Sequence, residues 1–288
     1  MFVQKVKGSR KMDLVKTDRQ KKHGFLNRNM LKYFAVICML GDHIGNAFVE
    51  PDTVLSTVLE FFGGLTMPIM AFFLAEGYCY TKNLKKYFAR LLIFALIAAA
   101  PFCYMQNGSW LPIEFAGEKI KLSDMILNLN AMGETVVVHR ANFLFTLLLS
   151  LANIAAWDKL RVPVPVKVLI TFAVCWLSTG CDWSYWCVLI SFIFWKFREK
   201  DFPKWLLYSL VSLSCVLFFK VFQNPLCIDI TYSFRPVHFN LFLIIPLIVF
   251  CYNGEKGNGG KFGKWFFYIF YPAHMLIIDF ILFFSSTC

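Results

Sequence analysis

Charged residues are scarce in this 288-residue sequence, in which they make up 16% of the chain. Soluble globular domains carry about 25% charged residues, whereas here hydrophobic residues reach 58% and aromatic residues 18%. The mean hydropathy is correspondingly high, at +0.58. This composition excludes an ordinary soluble domain and indicates an integral membrane protein.

Acidic residues are also few. The sequence has 18 Asp and Glu against 29 Lys and Arg, which gives a formal net charge of +11. The basic residues concentrate in residues 1–32 and in every second predicted loop, with few in the loops between. This asymmetry follows the positive-inside rule and predicts a cytoplasmic N-terminus. Topology and attraction to membrane lipids with anionic head groups explain the excess charge, so we predict no nucleic-acid partner.

Long polar stretches are rare after residue 30, and apolar runs take their place. A spanning helix needs about 20 apolar residues, and such runs are centred near residues 40, 71, 96, 148, 172, 190, 212, 244 and 275. The sequence therefore predicts an all-α fold, a polytopic transmembrane helical bundle of about nine spans. The chain divides into a basic cytoplasmic tail, residues 1–30, and a membrane domain, residues 31–288.

Several common signatures are missing from the sequence. The ten cysteines follow no metal-ligand spacing, so no metal site is predicted. Cys181 and Cys227 fall in predicted outer loops and could pair. The polar tail is too long for a cleavable signal peptide, so we expect the first span to stay in the membrane. No internal repeat is visible, which argues against a carrier built from inverted repeats.

A few ionisable side chains interrupt the apolar runs. Such a group is costly at membrane depth unless it faces a partner or a cavity, so each one is a candidate functional residue. The set comprises Asp42, His43, Glu76, Asp182, His274 and Asp279. An acid and an imidazole stand side by side in the middle of the first run, LKYFAVICMLGDHIGNAFV.

The first run carries Lys32 and His43 on one helix face. Eleven residues at 100° each leave the side chains of Lys32 and His43 pointing within about 20° of one another around the helix axis. The two residues are separated by about 16 Å along that axis. Asp42 is rotated about 100° from His43, so a direct charge pair between these neighbours is not predicted. Asn46 could hydrogen-bond to either of them. This face therefore carries a cation near the cytoplasm and an imidazole deep in the bundle.

His274 lies at a comparable depth in the last run, FYIFYPAHMLIIDF. Pro272 interrupts the backbone hydrogen bonds of this helix and could turn Tyr271 and His274 into a cavity. A single buried histidine could equally be a hydrogen-bonded core residue. Two histidines at similar depth, one of them beside an aspartate, favour a functional role.

Residues near the helix ends supply further candidates. Glu76 and Arg90 flank a predicted inner loop, where Glu76 could pair with Arg90 or Lys32 as a structural tie. Arg140 and Asn142 open the fourth span on the outer side. The Gly-rich inner loop YNGEKGNGGKFGK could wrap a phosphate with backbone N–H groups or serve as a mobile linker.

Five motifs in order resemble the TraX family. LKYFAVICMLGDHIG is similar to the family's first span, and GGLTMPIMAFFLAEGYCYTKNLKKYFARLLIFAL to its Pro-containing second span and the Tyr-x-x-Arg-Leu that follows. NFLFTLLLSL resembles its fourth span, CDWSYWCVL its Asp-aromatic turn, and YNGEKG with FFYIFYPAHMLII its closing section. The resemblance extends from Leu31 over most of the chain.

The resemblance implies a multi-pass protein of the bacterial inner membrane that acts as an acetyl-CoA-dependent N- or O-acetyltransferase. The family is named for acetylation of the N-terminus of conjugative pilin, so the implied acceptor is pilin, or a cell-surface glycan or peptide. The chain also looks like a distant relative of membrane acyltransferases with an Arg-x10-His motif in the first span. Lys32 would stand in for the Arg of that motif and His43 for its His.

The resemblance also implies roles for the candidate residues. His43 would be the general base that acts on the acceptor, Asp42 would orient a neighbour or balance its charge, and Tyr271 and His274 would donate to the developing oxyanion. The remaining candidates form two sets: Lys32, Arg90 and Glu76 for acetyl-CoA, and Asn46, Arg140, Asn142 and Asp182 for the acceptor.

Two other functions stay open on the residues alone. A proton-coupled membrane carrier could use Asp42, His43 and Glu76 as a proton relay and would need no CoA. An assembly or scaffold protein would use its buried polar groups only to hold helices together. Dependence on acetyl-CoA separates the acetyltransferase from both alternatives.

Overall fold

The computed structural model describes residues 24–108, 110, 113–115, 136–138, 140–223, 236–257 and 260–287. Over these residues the chain folds into packed helices, which confirms the predicted helical fold class. Residues 1–23 of the predicted tail lie outside the described part. Cys227 does too, so the proposed pairing with Cys181 stays a prediction.

The first half of the bundle contains α1 (Arg28–Phe48), α2 (Val54–Gly63), α3 (Thr66–Tyr80), α4 (Leu84–Ile97) and α5 (Ala99–Asn107). Two short antiparallel strands follow, β1 (Ile113–Phe115) and β2 (Val136–Val138), with Glu114 opposite Val137. The second half contains α6 (Phe143–Lys159), α7 (Val164–Ser178), α8 (Ser184–Lys196) and α9 (Asp201–Gln223). An irregular helical segment, residues 236–251, precedes the long helix α10 (Gly260–Thr287). The two strands are an addition to the predicted all-α fold.

Polar side chains mark the residues at which several helices begin. Asn27, Thr53, Asn83 and Asn142 each accept a hydrogen bond from a backbone N–H in the first turn that follows. These bonds satisfy donors that have no partner within the helix. α7 instead carries Pro165 in its first turn, where the missing N–H costs no hydrogen bond.

The core lies where α3, α6 and α8 pack against one another. Its enclosed side chains include Met67, Ile69, Leu151, Ile154 and Ile190. Helix α1 lies across α2, and glycines permit the close approach. A Cβ atom at Gly41 or Gly45 would lie 3.3 or 3.1 Å from the side chain of Leu59. This packing brings the C-terminal half of α1, with its Asp-His pair, against α2.

Each of the predicted run centres falls within a helical element. Among the described helices, two are long and apolar enough to cross a membrane: Val54–Tyr80, in which α2 and α3 join, and Trp265–Ser285 within α10. The pair of α4 and α5, bent by 43°, would make a third. Helices α7 and α8 are apolar but shorter. The protein is therefore helical with apolar segments of membrane-spanning length, and the count of nine spans stays a prediction.

Candidate active site

A cavity of about 430 Å³ lies at the end of the bundle where α1 finishes. Of the residues selected from the sequence, the following line it: Asp42, His43, Asn46, Arg140, Asp182 and Tyr271. Polar residues that the sequence analysis did not select also line it, including Glu60, Gln106 and Asn240. The cavity therefore gathers polar side chains from the beginning, middle and end of the chain.

Two histidines from α1 and α10 meet beside this cavity. The Nδ1 atom of His43 lies 2.8 Å from the Nε2 atom of His274. The rings are nearly parallel, with 12° between their planes and 5.0 Å between their centroids. The Nδ1 atom of His274 lies 2.8 Å from the carbonyl oxygen of Phe270. His274 is buried, whereas His43 is half-buried and lines the cavity.

When both rings are neutral, these contacts determine which ring nitrogens carry a proton. The carbonyl oxygen of Phe270 can only accept, so Nδ1 of His274 carries a proton and donates it. The Nε2 atom of His274 is then an acceptor, and Nδ1 of His43 must donate to it. The Nε2 atom of His43 keeps its lone pair and can accept a proton. Both ring nitrogens of His274 are engaged, so the expected donation from His274 to an oxyanion has no spare N–H in this arrangement.

Tyr271 lies next to the histidine pair, with its ring centroid 5.8 Å from that of His274. Its hydroxyl oxygen accepts a hydrogen bond from the backbone N–H of Phe143 at 3.3 Å. Because the oxygen acts as an acceptor there, its own hydrogen remains available for donation. Tyr271 lines the cavity, so it can donate to an oxygen that becomes negatively charged inside it.

Carboxylates and glycines shape the wall of the cavity. Its acidic residues are Asp42, Glu60 and Asp182. A Cβ atom at Gly63 would overlap the side chain of Asp42, and one at Gly64 would overlap the amide of Asn240. The Gly-Gly pair is therefore the sequence signal for a close approach of polar side chains at this point.

Asn142 does not line the cavity and is fully buried between helices. Its Nδ2 atom donates to the carbonyl oxygen of Ala95 at 2.8 Å, and its Oδ1 atom accepts from the backbone N–H of Leu144 at 3.1 Å. The first bond joins α6 to α4, and the second caps α6. Among the described contacts, Asn142 thus joins helices, and none of them supports the expected contact with the acceptor.

At the other end of α1, Glu76 forms a bidentate ion pair. The Nη2 and Nε atoms of Arg28 lie 2.7 and 2.9 Å from its two oxygens, and the hydroxyl of Tyr252 lies 3.2 and 3.1 Å from the same oxygens. Burial alone would lower the pKa of Arg28, but the hydrogen bond and charge of Glu76 raise this pKa above its ordinary value. The structural tie expected of Glu76 therefore forms with Arg28, rather than with Arg90 or Lys32.

Lys32 and Arg90 lie among aromatic rings near the same end of the bundle. The Nζ atom of Lys32 is 5.3 Å from the ring centroid of Phe73 and 5.5 Å from that of Phe267. The guanidinium of Arg90 is 5.9 Å from the ring centroid of Tyr268, within the range of a cation–π contact. Its Nε atom is buried and has no hydrogen-bond partner in the described part of the chain. Both cations thus have aromatic neighbours and could bind an anionic group.

The Gly-rich inner loop folds back on the segment that precedes α1. The backbone N–H of Arg28 donates to the carbonyl oxygen of Glu255 at 2.8 Å, and Leu26 pairs with Tyr252 in a parallel bridge. A Cβ atom at Gly24 would overlap the backbone of this loop. Residues 252–257, the described part of the loop that precedes α10, therefore anchor the start of α1.

The apolar helices, the polar cavity and the histidine pair beside it define a helical membrane protein with a site between its first and last described helices. Comparison with known proteins identifies the chain further. The family model described as "TraX protein" matches residues 27–118 and 119–282, so the chain belongs to the TraX family. The family resemblance predicted from the five motifs is confirmed.

One relative is described as "Probable fimbrial assembly protein FimC, serogroup H1" and comes from Dichelobacter nodosus. The two sequences are 29% identical over 249 residues, which cover 86% of this chain and 92% of the relative. No solved structure matches the chain.

Proposed function

We propose that this protein is an integral membrane acetyltransferase, which moves an acetyl group from cytoplasmic acetyl-CoA to an acceptor amine or hydroxyl. The observation that carries the proposal is the hydrogen-bond chain from Phe270 through His274 to His43. This chain leaves the Nε2 atom of His43 able to accept a proton, in a residue that lines a polar cavity. A general base needs that protonation state.

His43 takes the proton of the acceptor's N–H or O–H group while the acceptor nitrogen or oxygen bonds to the thioester carbonyl carbon. Tyr271 donates its free hydroxyl hydrogen to the carbonyl oxygen as negative charge develops there. The carbon–sulfur bond then breaks, and the departing thiolate takes the proton from His43. The products are the acetylated acceptor and the CoA thiol, and His43 returns to its starting state.

His274 contributes to this step by acting on His43. It accepts the Nδ1 proton of His43, which holds both the orientation of that ring and the tautomer with an unprotonated Nε2 atom. We therefore assign His274 as a positioning residue. Asp42 lines the same cavity and would balance the positive charge that His43 acquires.

The donor side of the proposal rests on Lys32 and Arg90. Lys32 precedes His43 by eleven residues, or about 16 Å along α1, and CoA phosphates bound by these cations would lie at the cytoplasmic surface. A carboxylate repels phosphates, so Glu76 would not contact CoA directly. It would act indirectly, by holding Arg28 and the start of α1 in place. In this proposal the N-terminus is cytoplasmic and the chain crosses the inner membrane about nine times.

The acceptor side favours an amine. The carboxylates of Asp42, Glu60 and Asp182 line the cavity and would attract an ammonium group before it loses its proton. Asn46 and Arg140 also line the cavity and can hydrogen-bond to polar groups beside the amine. The acceptor we favour is the N-terminus of a pilin, because one relative is described as a probable fimbrial assembly protein; a cell-surface peptide or glycan is the other class.

A proton-coupled carrier is the alternative, and the geometry supports it less. A relay from His43 to Glu76 would have to pass along α3, where Glu76 lies ten residues, or about 15 Å, beyond Thr66 in the cavity wall. Both oxygens of Glu76 are already bound by Arg28.

Calorimetry on the purified protein in detergent tests the proposal. Wild-type protein should bind acetyl-CoA and release CoA thiol when an amine-bearing peptide is added. Lys32→Ala should weaken binding, whereas His43→Ala should bind normally and release no thiol. If folded wild-type protein binds no acetyl-CoA, the proposal is wrong. Proton movement across sealed vesicles without CoA would then support the carrier.

A further inference from the structure

A second cavity, of about 630 Å³, lies at the end of the bundle remote from the histidine pair. Its wall is formed by the C-terminal end of α3, the turn into α4, and the C-terminal ends of α6 and α8. Its basic residues are Lys82, Lys159, Lys196 and Arg198, and we call this cavity the basic cleft. Three separate segments of the chain thus bring cations to one place.

The positive charge of the basic cleft is only partly balanced. Asp158 is the acidic residue in its described lining, and it binds the hydroxyl of Tyr78 at 2.7 Å and the Nζ atom of Lys159 at 2.9 Å. Burial would raise the pKa of Asp158, but hydrogen bonds from Tyr78 and Lys159 and nearby positive charges lower it below its usual value. Its single negative charge is therefore present at neutral pH and is already bound by Tyr78 and Lys159.

The other cations of the cleft differ in their partners. Arg198 pairs with Glu199 at 2.9 Å. Lys82 and Lys196 form no salt bridge with any carboxylate in the described part of the chain. Both lysines are exposed, so a bound anion could reach them without displacing a carboxylate.

An aromatic wall stands beside these cations. Trp195 lines the basic cleft and packs edge-on against Tyr78, with 6.2 Å between ring centroids. The Nζ atom of Lys196 lies 5.9 Å from the ring centroid of Trp195. Indole and phenol rings beside lysines are typical of the level at which a protein meets lipid head groups. The ligand that fits such a wall has an anionic group next to an apolar or planar part.

The basic cleft is separate from the histidine cavity. Thr66 and Met67 of α3 line the histidine cavity, whereas Tyr78 and Cys79 line the basic cleft, about 18 Å further along the helix. The intervening part of α3 packs against α8 through fully enclosed side chains such as Ile69. A ligand in the basic cleft therefore cannot reach His43 through this part of the core.

We propose that the basic cleft binds the phosphate ester of an amphipathic anionic ligand, through Lys82 and Lys196 with Trp195 beside them. Basic pockets between membrane helices on the cytoplasmic side suit phospholipid head groups, and a phosphorylated nucleotide carries the same chemistry. The proposal does not depend on acetyl transfer. It assigns a function to positive charge that the histidine site leaves unused.

Native mass spectrometry of the detergent-solubilised full chain tests the proposal. The variant combines Lys82→Gln with Lys196→Gln, and the matched control combines Lys85→Gln with Lys86→Gln, two exposed lysines of α4 outside the cleft lining. Each protein is titrated with phosphatidylglycerol, with zwitterionic phosphatidylcholine, and with adenosine 3′,5′-bisphosphate. Removing a lysine that contacts an anionic head group weakens binding about fivefold.

The expected result is an affinity for phosphatidylglycerol about 25-fold lower in the cleft variant, with the control unchanged. Phosphatidylcholine should bind more weakly, and equally to all three proteins. If the cleft variant instead loses affinity for adenosine 3′,5′-bisphosphate, the phosphate ester belongs to a soluble ligand. The assignment of the cleft as a phosphate-ester site then stands. Equal affinities in all three proteins, or equal losses in the cleft and control variants, would overturn the proposal.

Discussion

The imidazole of His43 lies 2.8 Å from that of His274, although 231 positions separate the two residues in the sequence. The contact joins α1 to α10 beside the polar cavity. Through the carbonyl oxygen of Phe270, it also determines which nitrogen of His43 can accept a proton. The chemistry of the site therefore depends on how these two helices are held together.

Replacing His43 by Gln should strongly slow acetyl transfer and leave acetyl-CoA binding intact. Gln keeps a polar group in the cavity but cannot accept a proton at neutral pH, and removal of a general base typically lowers kcat about 10²- to 10⁴-fold. Initial rates of thiol release at saturating acetyl-CoA measure this change. Ser191→Ala, a substitution in the buried part of α8 outside the cavity lining, should keep the wild-type kcat. Retained turnover in folded His43→Gln protein contradicts the base assignment.

Replacing His274 by Phe should lower kcat by less than the His43 substitution, with KM for acetyl-CoA unchanged. Phe removes the acceptor of the His43 Nδ1 proton, so the ring populates the tautomer with a protonated Nε2 atom as well. His274→Gln should restore part of the rate, because its side-chain oxygen can accept that proton.

A double variant separates positioning from an independent catalytic role. His43→Gln combined with His274→Phe should be no slower than His43→Gln alone, because residues that act as a unit have non-additive effects. Steady-state rates of all three variants give the comparison. A further drop in the double variant would mean that His274 acts on the substrate itself.

Replacing Glu76 by Gln should destabilise the protein by about 2 kcal/mol, because the bidentate hydrogen bonds to the charged partner Arg28 are weakened. Thermal unfolding in detergent measures this change. The control is Glu199→Gln, which weakens an ion pair whose carboxylate is 77% exposed, so little change is expected. A raised KM for acetyl-CoA without a loss of stability would instead support direct contact between Glu76 and the donor.

Replacing Gly63 by Ala should destabilise the protein by about 1–3 kcal/mol, because the added Cβ would overlap the side chain of Asp42. Gly180→Ala is the matched control, since a Cβ atom there would meet no atom within 4 Å. Denaturant titration of both variants makes the comparison. Equal stability of the two proteins would show that α1 and α2 can move apart at no cost.

The periodicity of the sequence correctly predicted the helical fold. It also placed His43 and His274 at a similar depth. Placing His43 and Asp42 inside α1 needs only the helical repeat. The contact between His43 and His274 lay beyond that method, because a repeat along one helix says nothing about which other helix packs against it. Sequence analysis therefore identified the two histidines and missed the proton arrangement that their contact imposes.

Glu76 is a second residue whose partner could not be predicted from the sequence. Its charge at the end of an apolar run indicated a partner, and the candidates considered were cations inside or beside the spans. The partner is Arg28, which sequence analysis assigned to the polar tail and the structure assigns to the first turn of α1. Asn240 was overlooked for a related reason, since it lies in the cavity wall in close contact with Gly64, which is far from it in the sequence.

The docking of the Gly-rich loop on the segment before α1 has a consequence for biosynthesis. The loop and His274 are made after Arg28 and His43, and 231 positions separate the two histidines. A nascent chain that lacks α10 holds the imidazole of His43 without the neighbour that orients it. The histidine pair can therefore form only after the ribosome has translated α10.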